Sequence, residues 1–297
     1  MPEAAVRGRV LVAAAAVLVA AGPGCSLGGA PSPTVAVSPT APDHTPTQAA
    51  SPVRTNDPSP APPHPASTPR AENHPAGSRF PAQAHGYDVS YPQCATPGAP
   101  PGAQFAIVGV NGGRAFTRNP CLFDQWSHTT ALRSVYINSG YNPENYRFAE
   151  TLCRELGERL GGASPAEREA YAIGCAEAAY SYVVMGQDRV AGPQMCWVDV
   201  EASNSWDELD VNLNRHALQG LFDQLVGHGC KVGVYAQYKE WRAITGDWKT
   251  ASVAADWVSL AVPYEACALT GFTGGPVWLV QELATWPDVA VDSDWAC

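Results

Sequence analysis

Over residues 84–297 eight short apolar runs alternate with helix-forming stretches, and this alternation restricts the fold more than any other feature of the chain. The runs lie at 86–91 (GYDVSY), 105–110 (FAIVGV), 134–138 (SVYIN), 195–201 (MCWVDVE), 231–237 (KVGVYAQ), 256–262 (DWVSLAV), 277–282 (VWLVQE) and 289–292 (VAVD). Each has the length and branched or aromatic content of a strand. Helix starts are marked between them. Asn119-Pro120 and Asn142-Pro143 offer a cap followed by proline, Ser164-Pro165-Ala166-Glu167 is a capping box, and a further helix is expected over 206–226. Strand and helix in alternation imply parallel pairing through right-handed crossovers. The expected fold is α/β, a compact and irregular TIM-like (β/α) barrel, with functional groups gathered where the strands end.

The cysteines support a stapled domain. Cys25 stands apart, and the other eight all fall within 84–297. An even number in an exported chain indicates disulfides. Cys196 and Cys230 each begin an apolar run, which places them at the same end of neighbouring parallel strands, so they are expected to pair; the other connections stay open. No Cys-x-x-Cys occurs, so neither a zinc ribbon nor a redox dithiol is indicated.

The N-terminal part reads differently. Arg7 and Arg9 precede an apolar run over 10–21 that ends in small residues, the pattern of a secretory signal. Residues 1–25 are taken as that signal, and Cys25 after Gly24 is a candidate lipid-attachment site. Residues 26–83 are rich in Pro, Ala, Ser and Thr with one aromatic, Phe80. Such a segment cannot bury enough apolar surface to fold and reads as a linker. The expected location is extracellular or cell-envelope, with any membrane contact made through an N-terminal lipid.

The densest chemistry lies in CWVDVEAS, residues 196–203. Side chains alternate along a strand, so Trp197, Asp199 and Glu201 share one face and Cys196, Val198 and Val200 the other. Two neighbouring carboxylates beside an indole repel one another and lose water, which raises the pKa of one and leaves a general acid beside an anion. The plainer alternative makes Asp199 a loop cap and Glu201 the partner of an arginine. Asp88 with Ser90 in the first run, Tyr235 in the run after the acidic one and Asp292 in the last occupy comparable positions. Taken singly, Asp88 and Asp292 could equally cap turns, and Tyr235 fill a core.

Other classes find little support. The formal net charge is −10 and no basic, aromatic-studded strip occurs, which disfavours a nucleic-acid partner. There is no G-x-S-x-G. Gly112-Gly113 reads as a turn, and His85, His128, His216 and His228 lack ligand spacing, so neither metal nor cofactor is expected.

In order along the chain the motifs resemble those of family 25 glycoside hydrolases, lysozymes that cut bacterial peptidoglycan. Gly86-Tyr87-Asp88-Val89-Ser90-Tyr91-Pro92-Gln93 is similar to their opening G-x-D-x-S-x-x-Q, and 105–108 to their F-x-I-V strand. Asp199-Val200-Glu201 resembles their D-x-E strand, 232–235 the strand ending in tyrosine, and 278–281 with Val291-Asp292 their W-Q-Y and V-D-x-N. The resemblance implies that Glu201 donates a proton to the leaving sugar oxygen and Asp199 supports the substrate's acetamido group or the developing cation. It makes Asp88 and Asp292 the rest of an acidic floor. Tyr87, Ser90, Trp197, Tyr235 and Gln281 are then candidate substrate contacts, and the partner is a polysaccharide met by a monomeric protein. Departures occur in a cysteine-bearing loop over 94–101, in Glu282 and Asp294 where the family has Tyr and Asn, and in two helices expected over 143–160 and 165–185. The competing expectation is a non-catalytic domain that binds glycan or a partner in the same cleft.

Overall fold

The computed structural model describes residues 74–95, 99–129, 132–260, 262–286 and 291–297. The signal segment, Cys25 and the linker up to residue 73 lie outside the described residues.

Eight strands close a barrel in sequence order. They are β1 (His85–Val89), β2 (Phe105–Gly109), β3 (Leu132–Asn138), β4 (Cys196–Asp199), β5 (Val232–Ala236), β6 (Asp256–Ser259), β7 (Val277–Thr285) and β8 (Asp292–Ala296). β1 to β7 are parallel, whereas β8 runs antiparallel to both of its neighbours, β1 and β7. The barrel is thus α/β, as the alternation implies, but its last strand departs from the expected parallel pairing and makes it irregular. The last strand needs correction: it begins at Asp292 instead of ending there. Its inward row is Asp292, Asp294 and Ala296, a polar pattern that the apolar 289–292 run masks. Because the strand is reversed, its first residue meets the same mouth as the last residues of the parallel strands.

Among the described residues six α-helices flank the barrel: α1 (Leu122–Ser127), α2 (Thr151–Glu158), α3 (Pro165–Gln187), α4 (Val211–Gly227), α5 (Tyr238–Thr245) and α6 (Pro263–Ala266). α3 starts where the capping box places it: Ser164 Oγ accepts from the Glu167 N–H at 3.3 Å, and Glu167 Oε2 accepts from the Ser164 N–H at 2.6 Å. The helix expected over 143–160 is divided. Asn142 caps a 3-10 turn, Pro143–Phe148, and Ala149 then turns extended before α2 begins. α4 starts later than residue 206 because Asp207 Oδ1 accepts the N–H groups of Leu209 and Asp210, and Asp210 Oδ1 accepts that of Asn212. Short polar side chains here compete with the helix for backbone donors and hold it off until Val211.

α3 and α4 cross with backbones almost touching. A Cβ on Gly174 would sit 1.7 Å from the Ala217 carbonyl oxygen, and one on Gly220 2.1 Å from that of Tyr171. A methyl group at either place must push the helices apart. Gly220→Ala should therefore cost about 1–3 kcal/mol, the usual effect of overpacking, despite alanine's better helix propensity. A lowered urea midpoint checks this, and an unchanged midpoint would contradict the close crossing.

Apolar side chains fill two shells. Val108, Val135, Ile137, Val198, Leu218 and Phe222 pack between strands and helices. Phe80, Phe105, Ile107, Trp197, Trp257 and Trp278 fill the barrel's interior. Phe80 comes from the stretch read as linker. It is 1% exposed, with its ring centroid 5.0 Å from that of Phe105 and 6.4 Å from that of Trp197. Around it the Gln83 N–H donates to the Ala296 carbonyl at 2.9 Å, Lys231 Nζ to the Gly77 carbonyl at 3.1 Å, and His74 Nδ1 to the Cys297 carbonyl at 3.1 Å. The packed chain thus includes residues 74–83, ahead of the composition change at 84.

Among the described residues four disulfides join Cys94 to Cys121, Cys153 to Cys175, Cys196 to Cys230 and Cys267 to Cys297. The third is the pair expected from neighbouring strand starts. Among the described residues no helix is long and apolar enough to cross a membrane.

Candidate active site

Register brings the polar residues of the barrel to one level. Asn138 lies beside Asp199, Asp199 beside Tyr235, and Tyr235 beside Trp257. On the opposite wall Asp88 pairs with Asp292, and Asp294 lies between Gly86 and Gln281. Alternation turns their side chains inward; Asp88, Asn138, Asp199, Tyr235, Trp257, Gln281 and Asp292 line a cleft of about 330 Å³ at the strands' C-terminal mouth, while Asp294 is fully buried. Asp88, Ser90, Asp199, Glu201, Tyr235, Gln281 and Asp292 all reach it. Tyr91, 45% exposed, stands at its edge.

Hydrogen bonds orient the floor. Asn138 Nδ2 donates to Asp199 Oδ2, and Asn111 fixes Asn138 by accepting from its N–H at 3.2 Å and donating to its carbonyl at 2.8 Å. Asp199 Oδ1 is buried and meets no donor. Tyr235 donates its hydroxyl proton to Gln281 Oε1 at 2.6 Å, and Gln281 Nε2 donates to Asp88 Oδ2 at 2.8 Å. The tyrosine thereby sets the direction of the amide, and the amide holds the carboxyl. Trp257 Nε1 donates to Asp294 Oδ1 at 2.9 Å. Beneath Ser90 the backbone must be bare, since a Cβ on Gly109 would lie 2.5 Å from that of Ser90 and 2.8 Å from the Tyr136 ring.

Burial and mutual repulsion push every acid of the cluster towards its neutral form. Desolvation, followed by the charge of Asp292, raises Asp88 to about 7. Asp199 lies well above the carboxylate range, chiefly through burial and then through the charge of Glu201. Glu201 is raised by burial and by Glu240, and Asp292 by burial. Asp294 is also well above its ordinary value, through burial and the charge of Asp88. Its Oδ2 meets no N–H or O–H donor. Its proximity also acts on Asp88, whose pKa it lowers against the effect of burial.

Two candidate contacts do not reach the cleft. Tyr87 is 2% exposed and packs on the outer side of the sheet. It neighbours Asp88 in the strand, so alternation turns it away. Trp197 does point inward but lies one layer below Asp199. It is fully buried, with ring centroids 6.4 Å from Phe80 and 5.9 Å from Trp257. Its place is the core. Sequence reasoning missed Tyr136, Asn138 and Trp257, which line the cleft. Asn138 had a visible signal, an amide ending the third apolar run one strand from the acids. Tyr136 and Trp257 had none to distinguish them from core aromatics.

The raised acids also govern stability. Asp88 and Asp256 stand at about 7, and Glu177, buried in α3, at about 8, all mainly through desolvation. Unfolded, such groups titrate near ~3.9 (Asp) and ~4.3 (Glu). Between these values the folded chain binds more protons, so its stability must fall as pH rises from about 4 to about 8. Urea midpoints should be highest near the acid end of that window. Glu177→Gln, which keeps an acceptor for the Phe116 N–H, should flatten the fall; a midpoint rising with pH would contradict the burial of these groups.

A family model described as "Lysozyme-like protein 1" matches residues 176–258, the stretch that contains β4, α4, β5 and α5. No curated protein matches the chain. Among solved structures the chain is similar to a muramidase from Acremonium alcalophilum, at 14% identity and a TM-score of 0.49, over 72% of this chain and 94% of that one. It is similar to a muramidase from Trichobolus zukalii at 16% identity and a TM-score of 0.48, over 72% and 93% of the two chains. A family GH25 lysozyme from Aspergillus fumigatus gives 14% identity and a TM-score of 0.44, over 73% and 94%. Fold and site define an eight-stranded α/β barrel with an acidic mouth. Within that class, residues 176–258 are similar to the lysozyme-like family model.

Proposed function

We propose that the protein is an exported glycosidase that cuts a peptidoglycan-type glycan by carboxylate acid catalysis. One observation carries the reading: Asp199 and Glu201 face inward from one strand end, Asp199 buried and held by Asn138, Glu201 partly open to the cleft. A glycosidic oxygen leaves poorly unless protonated, and the sugar carbon becomes oxocarbenium-like as it departs. Glu201, with its raised pKa and access to solvent, supplies the proton. While Glu201 holds that proton, the charge that most opposes ionisation of Asp199 is absent, so Asp199 can stand as the anion beside the reacting sugar. Asp88 and Asp292 line the opposite wall, where negative charge offsets the developing cation. Tyr91 offers an exposed ring on which a sugar face can stack.

Residues two apart in a strand have α-carbons about 6.5–7 Å apart, which suits either stereochemical course. Retention follows only from the family resemblance. The N-terminal signal, a lipid at Cys25 and a linker over 26–73 would place the domain in the cell envelope.

The test is release of reducing ends from purified peptidoglycan by the oxidised protein. Release supports hydrolysis. Retention on the same glycan without release would favour a binding domain, and neither would overturn the choice of substrate.

A further inference from the structure

A second cavity, of about 230 Å³, adjoins the acidic cleft; Ser203 lines both, and Gly113 of the first is followed in the chain by Arg114 of the second. The two have opposite chemistry. Carboxylates line the first, whereas among the described residues none lines the second. Its walls carry donors: Arg114, Asn142, Asn145, Asn204 and Ser205. Asn142 has committed its Oδ1 to the Glu144 N–H at 2.9 Å, which leaves its Nδ2 free to donate. Asn204 Nδ2 is buried with no acceptor. Arg114 is exposed, and only its backbone carbonyl is engaged, by Thr117 Oγ1 at 2.5 Å; its guanidinium has no partner among the described residues.

Unspent donors around one cation call for an acceptor-rich, anionic group. We infer that this cavity is a subsite for a carboxylate borne by the glycan, bound by Arg114 and the amides of Asn142, Asn145 and Asn204. The inference rests on the glycan reading of the acidic cleft and deepens it. A chain of this net charge repels an anionic polymer at long range, and a local cation beside the cleft gives such a polymer one place to dock its charge. A neutral glycan has nothing to offer Arg114. In a peptidoglycan strand the carboxylate has two sources, the lactyl ether on the sugar and the peptide stem.

Binding is measured by calorimetry in the Glu201→Gln background, so that glycans stay intact, with and without Arg114→Gln or Arg114→Lys. Three ligands serve: a neutral N-acetylglucosamine oligomer, a stem-free glycan carrying lactyl carboxylates, and the same glycan with peptide stems. Arg114→Gln should weaken a carboxylate-bearing glycan about tenfold, the loss of one charge-assisted contact, and leave the neutral oligomer within about twofold. Arg114→Lys should restore most of the difference. An effect on the stem-free glycan identifies the lactyl group, and an effect only with stems identifies the peptide. Equal weakening of neutral and charged glycans, no weakening of either, or no glycan binding would overturn the subsite. Binding of this pattern by a protein whose wild type releases no reducing ends would overturn hydrolysis while the subsite stands.

Discussion

Glu201→Gln should lower turnover of glycan by about 10²–10⁴-fold, the span of a positioned general acid, while affinity for the glycan stays within about twofold. The side chain keeps its size, and its environment asks little of its charge. Ser203 Oγ lies a distant 3.5 Å from Glu201 Oε2, and the strong local bond, from Trp206 Nε1 at 2.8 Å, goes to the backbone carbonyl. An amide fits there without loss of packing, but it has no proton of useful acidity. It also removes a charge that opposes ionisation of Asp199, so the variant should be no less stable to urea. Stability and activity thus move independently, which a misfolded variant would not show. The decisive measurement is the rate of reducing-end release at several pH values. In the wild type the rate should fall on the alkaline side as Glu201, raised from its ordinary value, loses its proton. In the variant that limb should vanish with the rate. Equal release by both proteins would remove Glu201 from the mechanism.

Legibility in the sequence followed the number of neighbours each feature depends on. Strand positions were readable because the runs are rich in branched and aromatic residues and largely buried, as parallel strands under helices must be. The Ser164 capping box was readable because its two bonds are local. Asp88, Asp199 and Glu201 could be aligned because alternation along a strand needs no partner. What failed required tertiary knowledge. Tyr87 and Trp197 are aromatic residues beside acids, yet one points to the other face and the other lies a layer too deep. β8 escaped because its inward row is acidic at the mouth, and only reversal of the strand makes that sensible. Asp294 stands out in the structure for its burial, which together with the charge of Asp88 raises it well above the carboxylate range, a property that depends on its neighbours and not on its letter.

Phe80→Ala should cost about 3–5 kcal/mol of stability, the range for a fully buried phenylalanine, although it lies in a stretch whose composition reads as linker. The physical reason is the shape of a barrel. Strands that close on themselves leave an opening at the end opposite the cleft, and Phe105 and Trp197 present apolar rings beneath the acidic layer. Some side chain must cover them or water will. Phe80 does so, and the bonds of Gln83, Gly77 and His74 to Ala296, Lys231 and Cys297 anchor the segment that carries it. Composition averages hide a single anchoring residue of this kind, because one aromatic among prolines barely changes a mean. The variant should unfold at lower urea with an unchanged slope, and a domain that begins at His85 should lose at least as much. Trp197 lies directly below Asp199 in the same strand, so loosening the floor should also reach the site: a fall in glycan turnover is expected even at low temperature, where the variant remains folded. A Phe80→Ala protein with the wild-type midpoint would show that the barrel's lower end is closed by something other than this ring.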